Sequence, residues 1–189
     1  NFTDDESRIM PVSGGGFEQA YNAQASVDMD NLFIVGQHIS QNPNDKQEVE
    51  PALGALDELP EELGKVKRMG TDSGYTSESN AKKLEAKDIE GYMAGSRQNH
   101  NPTLAERCAP TPEPPQNPDT MAAMQYRMKT PEGKAFYARR KSTVEPVFGI
   151  IKEVMSFRRF MLRGFEAVQG EWLLVCIAFN VKRLCALRA

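Results

Sequence analysis

Residues 96–120, SRQNHNPTLAERCAPTPEPPQNPDT, hold six prolines and almost no apolar periodicity. Proline removes a backbone donor and biases the residue before it toward extended conformations, so no helix or central strand runs through such a stretch. The segment reads as a loop or linker between a sheet-forming part, residues 1–95, and a helical part, residues 121–189. At 189 residues the chain is long enough for one domain with a substantial core and short for two. The helices are therefore expected to complete the same domain as the sheet.

Upstream of the break, QAYNAQASV (19–27) alternates apolar residues at Tyr21, Ala23, Ala25 and Val27. Turn-formers follow, then the β-branched run LFIVGQHI (32–39), so the two read as an antiparallel hairpin. Residues 46–59 carry Val49, Leu53, Leu56 and Leu59 near helical spacing, with Pro51 in the first turn, where a missing N–H is tolerated. KVKRMGT (65–71) and IEGYMAG (89–95) are strand candidates on either side of a helix, SESNAKKLEAKD (77–88), capped by Ser77 or Thr76. That order is α/β, with a mixed sheet because a hairpin precedes the crossover. Downstream, residues 166–187 place Val168, Trp172, Val175, Ile177 and Leu184 on a broad apolar face expected to pack against the sheet.

Charge is unevenly distributed. Residues 1–126 carry a net −11 and residues 127–189 a net +8. A basic C-terminal third suits a phosphate backbone, and equally suits a basic face folded against an acidic half. Cys108, Cys176 and Cys185 form no C-x-x-C pair, which points to free thiols in a reducing compartment. No apolar run approaches the roughly 20 residues of a membrane span, and no signal peptide is visible. His38 and His100 have no metal-ligand spacing, and SGGGF (13–17) lacks the lysine of a phosphate loop. The first stretch, NFTDDESRIMPVSGGGFEQ, starts on Asn1 and reads as the middle of a longer protein.

Two acids stand out. Asp72, in GTDSGYTSESN, falls where a strand ends, and ligands of open α/β sheets bind beyond the strands' carboxyl ends. A turn aspartate bonded to its own backbone would look the same. Glu145 sits in RRKSTVEPVFGIIK, a basic and apolar run. Ser142-Thr143-Val144-Glu145 also matches a helix capping box, in which Glu145 would only reach back to the cap. Arg158, Arg159 and Arg163, in FRRFMLRG, are either DNA-backbone contacts or solvated helix charges.

Taken together, YNAQASVD, QNPNDKQEVEPAL, DSGYTSESNAKKLE, YARRKSTVEPVFGIIKE and FRRFMLRGFEAVQGEWLLVCIAFNVKRL resemble the C-terminal part of bacterial insertion-sequence transposases of the DDE class. The resemblance implies an RNase H-like fold in which three acids bind two divalent metal ions, Mg²⁺ or Mn²⁺. The family's second acid, in its D-x-G-Y motif, falls on Asp72, and the third on Glu145. The basic signature around the third acid falls on Tyr137, Arg140 or Lys141, and Lys152. Two such metals, about 4 Å apart, polarise the scissile phosphate and activate a water or 3′-hydroxyl. Glu145 and Lys152, seven residues apart, would share one helix face.

The sequence departs from the family in two places. The first acid has no counterpart and is expected upstream of Asn1, with Asp4, Asp5 and Asp28 as stand-ins inside the chain. The strand before Asp72, VKRMGT, is basic where the family is apolar. The expectation is an RNase H-like mixed sheet with flanking helices and a C-terminal helical segment, from an N-terminally incomplete transposase. The intact enzyme would cleave DNA and transfer strands. Its partners would be transposon ends and target DNA, with a homo-oligomer open and no membrane, in the bacterial cytoplasm at the nucleoid. The alternatives are a catalytically inactive DNA-binding remnant and a helical module in which Glu145 only caps.

Overall fold

The computed structural model describes residues 3–12, 15–95 and 112–188. Of the expected linker, residues 96–111, with His100 and Cys108, lie outside the described residues; residues 112–119 carry no helix or strand. The chain divides into two compact units, Asn1–Leu63 with Lys141–Ala189, and Gly64–Arg140.

The first unit is built on a hairpin of β3 (Asn22–Val27) and β4 (Ile34–Ser40), antiparallel from Asn22 opposite Ser40 to Ala25 opposite Gln37. Its turn is closed by Asp28, whose backbone amide donates to Phe33 and whose carboxylate accepts from the Asn31 amide at 2.7 Å. Two elements pack on β4: helix α1 (Val49–Asp57) and the long helix α6 (Phe165–Arg188). Helix α6 turns Val168, Trp172, Cys176 and Phe179 into the core, a spacing of one helix face. Ile34 and Ile39 of the hairpin meet them, as do Val147 and Ile151 of a short helix, α5 (Val144–Gly149), and its extension.

Polar groups that this packing buries are satisfied. The Trp172 indole donates to the Gln24 carbonyl at 3.0 Å, and the Asn180 side chain bonds both the amide and the carbonyl of Ile34, as a neighbouring strand would. The expected face of α6 holds at Val168 and Trp172, with Val175 packed against the core. Ile177 and Leu184 instead lie on the opposite, exposed side. The helix is apolar on two faces, and spacing alone does not say which one turns inward. A further hairpin, β1 (Arg8–Pro11) with β2 (Phe17–Ala20), occupies the first stretch, for which no element was expected. Only Met10 of its strands is buried, so it has little of the alternation that marks a strand.

The second unit is built on a βαβ element. Strands β5 (Arg68–Thr71) and β6 (Glu90–Met93) run parallel, joined through α2 (Glu78–Ala86). Ser77 caps α2 by accepting from the Asn80 amide at 3.1 Å, as its position predicts. Ala81, Leu84, Tyr92, Met93 and Met124 form the core. Helices α3 (Thr120–Lys129) and α4 (Pro131–Ala138) follow, with Thr130 capping α4 and Pro131 at its first position.

The architecture is α/β, as expected. The strands, however, pair as three two-stranded sheets among the described residues, where one mixed sheet was expected.

Candidate metal and phosphate site

Asp72 follows the last residue of β5, at the carboxyl end of a parallel pair. Its backbone is extended, and its side chain caps the 3₁₀ turn Ser73–Tyr75, Oδ1 accepting from the Ser73 amide at 2.6 Å. Asp72 is thus a turn aspartate, and it stands at the carboxyl end of a parallel strand pair. The turn uses one oxygen. The other, Oδ2, lies 3.5 Å from Nη1 of Arg140, and the Asp72 side chain is 57 % exposed.

Arg140 reaches that oxygen from the end of α4. Its guanidinium lies over the Tyr137 ring, 5.6 Å from the centroid, and its side chain is only 19 % exposed. Burial pushes the Tyr137 hydroxyl pKa up; the Arg140 charge opposes that rise and the Asp72 charge adds to it. The last turn of α4 is held in place by a laminate beneath it. Phe136 packs on Tyr92 of β6 with centroids 4.4 Å apart, Arg68 lies over Phe136 and Arg127 over Tyr92, and Arg127 also donates to the Gly91 carbonyl at 2.9 Å. A glycine makes the α3–α4 corner this tight. A Cβ at Gly133 would lie 1.9 Å from the Arg127 carbonyl oxygen. Three residues singled out from sequence, Asp72, Tyr137 and Arg140, thus meet within one unit.

Glu145, Lys141 and Lys152 belong to the other unit and are exposed. The capping-box reading of Glu145 needs correction. The cap residue of α5 is Thr143, not Ser142, and its side chain makes no capping hydrogen bond, so Glu145 is the second helical residue rather than the third. Pro146 falls in the first turn, where it removes no intrahelical bond. The expectation that Glu145 and Lys152 share one α-helical face is also modified. From Ile150 to Val154 the helix widens into a π turn, closed by the Met155 amide on the Ile150 carbonyl at 2.9 Å. With i→i+5 bonding, Lys152 is rotated from its α-helical register, and single π turns of this kind are frequent at functional sites.

Two of the three stand-ins for a first acid have other work. Asp4 accepts from the Tyr21 hydroxyl at 2.8 Å and from the amides of Glu6, Ser7 and Gly164. Burial opposes, but these bonds on balance hold its carboxyl below the usual range. Asp28 closes the β3–β4 turn, and Asp5 is exposed. Sequence reading missed Glu48, a fully buried carboxylate that accepts from Ser40 Oγ at 2.7 Å and Asn42 Nδ2 at 2.8 Å and lies 2.8 Å from His38 Nε2. This explains His38: it pins the loop before α1, in a polar stretch with no apolar pattern to flag it.

The family described as transposase DDE domain matches residues 5–181. The chain belongs to that family. No curated protein and no solved structure matches. Membership places this transposase domain in DNA transposition. Among its described residues no three His, Cys, Asp or Glu side chains cluster, and no helix is long and apolar enough to cross a membrane. Asp72 keeps one carboxylate oxygen clear of its turn, which a divalent cation would have to share with or take from Arg140 at 3.5 Å, and Glu145 is exposed.

Proposed function

We propose that this chain is the metal-binding and phosphate-holding part of an RNase H-like catalytic domain that cuts DNA and joins the freed end to a target. Asp72 and Glu145 are its metal ligands, for Mg²⁺ or Mn²⁺. Bound there, the metal supplies Lewis-acid polarisation of the scissile phosphate and an activated water or 3′-hydroxyl. Arg140 binds a phosphate oxygen, oriented by the Tyr137 ring beneath it, and Lys141 and Lys152 steady neighbouring phosphates. Of the stand-ins for a first acid, Asp4 and Asp28 are committed to structural bonds and Asp5 is exposed.

The observation that carries this reading is the Arg140 guanidinium, stacked on Tyr137 and set against the outward oxygen of Asp72. Residues 65 and 68 positions from Asp72 along the chain converge on the acid that the D-x-G-Y motif marks. The test is nicking of supercoiled plasmid by this chain. Mg²⁺-dependent nicking is expected, falling at least about 100-fold in Asp72→Asn and in Glu145→Gln. Steeply salt-dependent DNA binding with no nicking at any metal concentration would instead identify a non-catalytic DNA-binding remnant.

A further inference from the structure

The segment between the π turn and α6, MSFRRFMLRG (155–164), has no helix or strand, yet its backbone is fixed at both ends. Ser156 takes a left-handed conformation (φ 59°), and the Phe157 amide then closes back on the Ile151 carbonyl at 3.0 Å. Phe157 and Phe160 turn inward, edge to face at 5.5 Å, and both meet Trp172. At the far end the Glu171 carboxylate accepts from the Met161 and Leu162 amides at 2.9–3.0 Å, and Asp4 and Glu6 accept from the Gly164 and Phe165 amides.

Two apolar side chains project from this pinned backbone into solvent. Met161 is 70 % exposed and Leu162 51 %. Arg159 and Arg163 flank them, exposed and without a hydrogen bond or ion pair among the described residues; Arg158 pairs with Glu153. The loop borders a groove of about 1160 Å³, whose wall includes Tyr21, Phe157 and Phe160, with Lys152 also on its rim. An unpaired cation on either side of a rigid apolar tip, beside an aromatic-walled groove, is matched to a polyanion whose interior is apolar and stacked. Nucleic acid has that chemistry.

We propose that Met161 and Leu162 form a wedge that enters a DNA duplex between adjacent base pairs. Arg159 and Arg163 hold the flanking phosphates, and the groove receives the unstacked base. This rests on the DNA-acting reading above and adds a way of deforming the substrate. Two unpaired arginines at the tip, with Lys152 on the rim of the groove, favour DNA over an apolar protein partner.

The test is fluorescence anisotropy with the full chain and two 20-base-pair duplexes, one fully paired and one carrying a single bulged base. Unstacking is partly prepaid in the bulged duplex, so the chain is expected to bind it at least about 10-fold more tightly. Met161→Ser with Leu162→Ser should abolish that preference while retaining affinity for the paired duplex within a few-fold. Arg159→Gln with Arg163→Gln should weaken both duplexes alike and flatten the salt dependence. Unchanged thermal melting establishes that the variants fold. Equal wild-type affinity for the two duplexes, or a preference that survives in the double serine variant, overturns the wedge and leaves the proposed function standing. Binding to neither duplex at low salt overturns both. A serine variant that converts a dimer to a monomer overturns the wedge by showing that the tip meets a second copy.

Discussion

Asp72 shows how one side chain serves two purposes. Its turn needs a single acceptor, and Oδ1 supplies it; Oδ2 remains for a cation, which here is Arg140. The motif around Asp72 was legible in the sequence because its residues are neighbours. Its partnership with Arg140 was not, because nothing local links positions so far apart. Glu48 shows the opposite failure: local sequence presents it as one more acid near a helix start, whereas three side chains from β4 and the following loop gather around its buried carboxylate. Cysteine chemistry gives a residue-scale check on the core. Burial pushes the Cys176 thiol up to about 12, while Cys185, further along the same helix, is exposed. The thiolate is the nucleophile, so at pH 8 iodoacetamide should label Cys185 in the folded chain and Cys176 only after unfolding. Peptide mapping that finds both labelled at the same rate would contradict the packing of α6.

At the scale of elements, the β3–β4 hairpin and α2 were readable because alternation and a capping serine are local signals that agree with burial. The face of α6 was only half readable. Its leucines and its isoleucine lie on the exposed side, and the side chosen is the one where Trp172 finds a carbonyl and Asn180 finds a strand edge. The π turn after α5 has no sequence signature that periodicity detects. It moves Lys152 relative to Glu145, so the spacing of the basic signature is not the spacing of a plain α-helix. The α3–α4 corner carries a prediction of its own. Gly133→Ala drives a methyl into the Arg127 carbonyl, and the corner must open. Denaturant unfolding should show a loss of about 1–3 kcal/mol. Because that corner sets the position of Tyr137 and Arg140, plasmid nicking should fall with it at temperatures where the variant remains folded. Unchanged stability would show that α4 is not held as described.

For the whole molecule, α/β order and membership of the transposase DDE domain family were both within reach of the sequence. The sheet was not. Its strands form three separate pairs among the described residues, because pairing beyond a hairpin or a βαβ unit depends on partners that no short window of sequence contains. The charge asymmetry of −11 against +8 places cations and acids in quantity without assigning them. The structure sorts some of them: Arg158 is spent on Glu153 and Asp4 on its amides, while Arg140 is set against Asp72. The central claim is that Asp72 and Glu145 grip the same divalent ions, and metal-directed backbone cleavage tests it most directly. With Fe²⁺, ascorbate and peroxide, radicals formed at the bound ion cut the nearest main chain. Cuts beside residues 72 and 145 together, both suppressed by excess Mg²⁺ and both lost in Asp72→Asn, are the predicted result. Cutting at only one of the two, or cutting at residue 145 that persists in Asp72→Asn, would contradict it.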